Sequence, residues 1–155
     1  MKRTIKAFQD DVQGGWLVEL DCGHRQPLEQ LSCAAVRQQA AFEKGRGDAI
    51  GQVVACPACD RFELPEQLER YRCTTEFNEQ TVPEGFLREH ATKAGTWARL
   101  VVEEGTIRYH VDSMGVVEAL TPERPGVIAP ELIHRIEPQG RVRFYLEFYR
   151  KARPH

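Results

Sequence analysis

Cys22-Gly23-His24 and Cys56-Pro57-Ala58-Cys59 are two short stretches in which side chains that bind soft and borderline metals recur at ligand spacing. A tetrahedral Zn2+ site needs four such donors converging on one point. A C-x-x-C turn lets two thiolates reach one ion while backbone amides point at the sulfurs, and a C-x-H turn elsewhere supplies a thiolate and an imidazole. Cys22, His24, Cys56 and Cys59 fill all four positions of a Cys3His centre, so the implied zinc is structural: no position stays open for water or substrate. A redox C-x-x-C pair is the competing reading, and it expects the motif at a helix start in a βαβ unit. Here the motif follows the apolar run "AIGQVVA" and precedes "DRFELP". Unmetallated cysteines are the third reading. Cys33 and Cys73 lie in no such motif, and Cys33 is read as a small core residue of a helical run.

The elements that must position these ligands are legible around them. "TIKAFQ" and "WLVELD" are strand-like and joined by the Asp- and Gly-rich "DDVQGG", which predicts a β-hairpin ending at Cys22-Gly23-His24. The run "LEQLSCAAVRQQAAFEKGRG" places Leu28, Leu31, Ala35 and Phe42 along one helical stripe and is expected to stop at Gly45 and Gly47. A strand then leads into Cys56. "DRFELPEQLERYRC", charged and containing Pro65, reads as a linker or the edge of a new domain, dividing the chain into a zinc-ribbon-like α+β module over 1–64 and a second domain over 65–155. About 60 residues bury little core, and a bound metal compensates for that.

The second part reads as strands and turns: "TWARLVV", "TIRYHV", "VVEAL", "VIAPELIHRIEP" and "VRFYLEFY", punctuated by Gly and Pro at even spacing. This predicts an antiparallel sandwich or barrel and makes the whole chain mainly β. The basic end "RKARPH" is read as a frayed tail.

Composition narrows the function classes. With 21 Lys and Arg against 23 Asp and Glu, the net charge of −2 gives no general attraction to phosphate backbones, and acidic residues offset the basic "MKRTIK". Nucleic acid is therefore not an expected partner. The start "MKRTIKAFQDD" lacks the apolar core of a signal peptide, and no run approaches the roughly 20 apolar residues of a membrane helix. A cytoplasmic protein is expected. Five cysteines in a reducing compartment suit metal binding or free thiols better than a disulfide framework.

The stretches "FNEQTVPEGFLREHATKAGTW", "EGTIRY", "RPGVIAPELIHRIEP" and "VRFYLEFYR" give residues 71–151 a resemblance to the cupin-like domain shared by TehB tellurite-resistance proteins and YeaR-type proteins. Residues 1–64 resemble a separate small family of unknown function that carries the same C-G-H and C-P-x-C pair. The first resemblance implies a double-stranded β-helix, a jelly-roll barrel with a small-molecule or metal pocket at its mouth, and an association with tellurite or nitrosative stress. Cupins often dimerise, which makes a homodimer an expected assembly. The TehB methyltransferase domain has no counterpart here, nor does a Gly-rich nucleotide loop.

The resemblance also implies roles. "GVIAPELIH" is similar to the second cupin motif, so His134 takes the place of its metal-binding histidine, while the first motif's H-x-H is missing and only His90 remains. His90 and His134 with Glu147 would make a two-histidine, one-carboxylate set for a second divalent metal, Fe, Mn, Zn or Ni, with open positions. Against this, Glu147 shares a strand face with Arg143 and Tyr145 and so faces a polar region or pairs with an arginine. His134 reads equally as a hydrogen-bonded core residue, and His90 as a loop residue. Lys93, if buried at the mouth, would be an anion-binding cation, and Tyr109 lines the interior or packs there. Two function classes follow: a metal-binding cupin that takes a small molecule or oxyanion, and a non-enzymatic interaction or sensor protein with the zinc module as its docking face. No nucleophile or general base stands out to name a reaction.

Overall fold

Short strands with one buried face build both halves of the molecule. The computed structural model describes residues 1–152, and every strand ladder among them is antiparallel. The chain divides into two compact units, Met1–Gln67 and Leu68 onward.

In the first unit, β1 (Lys2–Asp10) and β2 (Trp16–Leu20) form the expected hairpin, with β3 (Arg25–Pro27) beyond β2 and β4 (Val53–Ala55) beyond β1. The hairpin turn is closed by the Asp11 N–H on the Gly15 carbonyl at 2.8 Å, with Gly14 at φ +88°, a left-handed conformation that suits glycine. Alternation along β1 buries Arg3 with Ile5, and on the neighbouring β2, where Leu20 stands opposite Ile5, Val18 and Leu20 are buried as well. Lys6 is one extra residue opposite the Leu20–Glu19 step, a bulge that resets the strand's facing.

The single helix expected across residues 28–47 is instead a 3-10 turn (Leu28–Gln30), α1 (Ala34–Gln39) and α2 (Glu43–Ala49). The glycines expected to end it lie inside α2. The break comes at Phe42, whose backbone is extended at φ −115° and ψ 149°, so that α2 folds back over the end of α1. Gly45 makes that approach feasible: a Cβ there would sit 1.7 Å from the Gln39 carbonyl oxygen. Of the expected stripe, Leu31 is buried, whereas Ala35 and Phe42 are exposed; Val36, Ala40 and Ala49 complete the buried side. A last short helix, α3 (Pro57–Asp60), follows β4.

The second unit contains β5 (Leu68–Cys73), β6 (Phe77–Asn78), α4 (Glu84–Leu87), β7 (Trp97–Glu104), β8 (Ile107–Val111), β9 (Val116–Leu120), β10 (Gly126–Ile128), β11 (Arg135–Pro138) and β12 (Arg143–Lys151). One sheet has the order β10-β7-β12-β5 with β6 also on β12, and the other the order β11-β8-β9. Buried side chains of the two sheets, Trp97, Leu100 and Phe144 of the first and Ile107, Tyr109 and Leu120 of the second, supply the core. Each stabilises by about 1.5–3 kcal/mol relative to exposure.

The stretch read as a linker or the edge of a new domain, residues 60–73, ends as such an edge: β5 pairs with β12 over Leu68–Cys73 and belongs to the second unit. Its side chains are mostly exposed, so it carries no apolar strand signal. The run "VIAPELIHRIEP" is not one strand. Its start, β10, pairs with β7 in one sheet and its end, β11, pairs with β8 in the other. Pro130, which has no N–H to donate, and Glu131, at φ +61°, break the extended path between them. Of the basic end read as a tail, Arg150 and Lys151 lie in β12, and residues 153–155 fall outside the described residues. The protein is mainly β, with several antiparallel sheets. Among the described residues, no helix is long and apolar enough to cross a membrane.

Candidate metal centre

The turn between β2 and β3 presents the first two ligands. The Gly23 N–H bonds the Leu20 carbonyl at 2.9 Å, the Leu20 N–H bonds the His24 carbonyl at 3.0 Å, and Gly23 takes φ +96°. This tight turn points Cys22 and His24 the same way. The other two ligands flank the start of α3: Cys56 precedes it with extended backbone, Pro57 supplies the fixed φ of the first helical position, and Cys59 follows one turn on. The Cys59 N–H points at the Cys56 sulfur.

All four residues are buried, and one donor atom from each lies within 4.8 Å of the others. His24 Nδ1 is 3.4 Å from Cys22 Sγ, 3.4 Å from Cys56 Sγ and 3.5 Å from Cys59 Sγ, and the Cys22 and Cys56 sulfurs are 3.9 Å apart. A tetrahedral zinc with ordinary bond lengths has edges of about 3.8 Å between sulfurs and about 3.6 Å between sulfur and nitrogen. The donors thus already stand at the corners of such a tetrahedron. His24 Nε2–H donates to the Glu63 carbonyl at 2.7 Å, which leaves Nδ1 as the inward-facing donor atom. Burial alone would lower the His24 pKa, but hydrogen bonds and charge from Cys56 and Cys59 outweigh it and raise the value to about 9. Hydrogen bonds from Cys22 and Cys59 hold Cys56 far down in the thiolate range. An ion held here would take the place of the imidazole proton. These four residues could hold a metal ion, as the sequence spacing indicates.

Arg3 also touches the cluster, a neighbour that the sequence reading missed. Its Nε–H donates to Cys59 Sγ at 3.3 Å from a side chain 6% exposed. The available signal was strand parity, which puts Arg3 on the inward side with Ile5. Beside the centre, His24 and Cys56 form part of the wall of a cleft of about 540 Å³ that also includes Arg25, Gln26, Arg61 and Glu63.

In the second unit the structure brings together His90 and His134, although 44 positions separate them. Each N–H bonds the other's carbonyl at 2.9 Å, and the rings lie 4.2 Å apart. His90 Nδ1–H donates to the Arg88 carbonyl at 2.9 Å and His134 Nδ1–H to the Leu132 carbonyl at 2.8 Å, which leaves Nε2 as the second nitrogen each ring can offer. His134 is 2% exposed, and burial is the main cause that lowers its pKa to about 4, so the ring is neutral at neutral pH. It borders a second cleft of about 390 Å³ with Glu89, His110, Asp112, Glu131 and Arg135. Phe86 of α4 stacks on His90 at 5.5 Å, and Tyr109 packs against His134 at 5.5 Å. Tyr109 is fully buried, and burial pushes its phenol well above the usual range.

Glu147 does not join the pair. Its carboxylate accepts a hydrogen bond from Tyr149 at 2.9 Å and pairs with Arg70 at 3.2 Å. Among the described residues, Cys22, His24, Cys56 and Cys59 are the one group of three or more metal-ligating side chains that converges. Lys93 is exposed, so the burial that would make it an anion-binding cation is missing. Glu147→Gln is expected to leave the metal content of the protein unchanged by elemental analysis, because its neighbours are an arginine and a tyrosine.

Comparison with known proteins follows the same division. Residues 72–146 match the TehB-like domain model, and residues 7–63 match that of a protein family of unknown function, DUF3565. Among curated proteins none matches. A crystal structure of a protein from E. coli strain K12 is similar at 26% identity with a TM-score of 0.54, covering 59% of this chain and 98% of that one. TehB from Haemophilus influenzae is similar at 28% identity with a TM-score of 0.50, covering 56% of this chain. The match spans 32% of TehB, about a third of its length.

Proposed function

We propose that the protein is a two-unit metal-binding protein related to tellurite resistance, in which a structural zinc holds the first unit together and a cupin-like second unit binds a small oxyanion or other small molecule. The observation that carries this reading is the Cys3His cluster, four buried donors at tetrahedral separations. A closed set of this kind supplies folding energy and leaves no catalytic position. The tellurite association rests on the TehB-like match and extends only to that portion of TehB.

The ligand-binding part of the reading rests on the histidine pair. Two imidazoles whose Nδ1–H groups are each fixed on a backbone carbonyl offer Nε2 in the tautomer that a metal-binding histidine needs. A second divalent ion, Fe, Mn, Zn or Ni, held there keeps open positions toward the His134 cleft, where an oxyanion or other small molecule binds it. Glu147 has no part in this set.

Elemental analysis of the purified protein tests both halves. One zinc per chain that survives His134→Ala, with a second metal lost on that substitution, is the expected result. A single zinc in both proteins leaves the pair as a packing feature and favours a docking role for the cleft beside the first centre. No metal in either protein overturns the Cys22, His24, Cys56 and Cys59 assignment.

A further inference from the structure

Zinc bound by three thiolates and a neutral imidazole carries a net charge of −1, and a buried net charge is costly unless another charge answers it. Arg3 stands where that answer is needed. Its guanidinium stays protonated in any protein environment, it is buried, and its Nε–H is directed at the Cys59 sulfur at 3.3 Å. The backbone explains the placement: β1 pairs with β4 in a register that sets Arg3 opposite Val54, two residues before Cys56. An inward position on a strand beside Ile5 would ordinarily be apolar. Asp21, whose carboxylate accepts the Thr4 N–H at 3.1 Å, also acts on Arg3 from the half-exposed side.

We infer that the Arg3 guanidinium completes the metal centre: it balances the charge of the ion and its ligands and, by hydrogen-bonding the Cys59 sulfur, shields that thiolate from electrophiles. This rests on the proposed zinc site. A donor on a metal-bound thiolate draws electron density from the sulfur and lowers its nucleophilicity, while the opposite charge strengthens the hold on the ion. The three thiolates are therefore unequal. Cys59 is covered by Arg3, whereas Cys56, itself buried, forms part of the cleft wall, so an electrophile that enters by the cleft is expected to react at Cys56 first.

The test compares wild type, Arg3→Met and Arg3→Lys, each loaded with zinc, by competition with a chromophoric chelator and by mass-spectrometric mapping of iodoacetamide labelling. Arg3→Met is expected to keep one zinc per chain but to bind it about 10–100-fold more weakly, with Cys59 labelled as fast as Cys56. Arg3→Lys retains the charge and recovers part of the affinity, but a shorter, differently placed donor leaves Cys59 more reactive than in wild type. Affinity and labelling order unchanged in both variants would overturn the role of Arg3 while leaving the zinc site standing. Wild type that takes up no zinc overturns the site itself. Should Arg3→Met fail to fold, Cys59 labelling in Arg3→Lys at the wild-type rate overturns the inference alone.

Discussion

Replacing Cys56 with serine should abolish metal binding and unfold residues 1–67 while the second unit keeps its strands. The first unit buries few large side chains, and its core reaches completion only around the cluster: Cys22, Cys56 and Cys59 are themselves among its buried residues. A structural zinc contributes about 10–16 kcal/mol of apparent binding free energy at neutral pH. A whole domain is stable by only about 5–15 kcal/mol. Losing the ion therefore exceeds what β1, β2 and two short helices can supply. Heteronuclear NMR reads the outcome unit by unit, with amide signals of the first unit expected to collapse toward random-coil positions and those of the second to stay dispersed. Excess chelator at pH 7 should reproduce the effect in wild type, and restored zinc should reverse it there but not in Cys56→Ser. A first unit that stays folded with its metal removed would contradict the structural role assigned to the cluster.

Trp97→Ala should cost the second unit about 3–5 kcal/mol. Trp97 is fully buried on β7 at its register with Tyr149 of β12. Its removal opens a cavity in a packed interior that relaxes only partly. For a unit of this size each kcal/mol shifts Tm by about 4–8 °C, so a fall of at least ~12 °C is expected by calorimetry. The loss should fall on the second unit's transition and leave metal release from the first unchanged. Phe42→Ala makes the contrast: Phe42 is 74% exposed, and its replacement should change stability by at most about 0.5 kcal/mol.

The readable parts of the sequence were those written in local chemistry. The hairpin announced itself through "DDVQGG" between alternating strands, and the four ligands through paired spacing, because a metal demands those residue types whatever the fold around them. What stayed hidden depended on partners distant in sequence. β5 has an exposed, charged composition and is a strand only because β12 pairs with it. The helix break at Phe42 lets α2 fold back on α1, a close approach that a 3.6-residue period does not record. His90 and His134 could be singled out by type, but that each bonds the other's backbone, and that Glu147 turns instead to Arg70, are consequences of register. Arg3 was hidden for the opposite reason. A charge at an inward strand position contradicts simple patterning, and such contradictions mark sites where a second charge is close by.

β12 bonds to β5, β6 and β7 at once, so three ladders of the second unit share one strand that lies last among them in the chain. During synthesis these three strands are made first; β5 and β6 have no mate and β7 has only β10 until Arg143–Lys151 leaves the ribosome, whereas the first unit has all four cluster residues by Cys59 and can close earlier. The nascent chain therefore passes through an interval in which a closed first unit precedes an open sheet with an unpaired edge. Any shortening of the chain before Arg143 makes that interval permanent and exposes the strand edges to other copies of the chain.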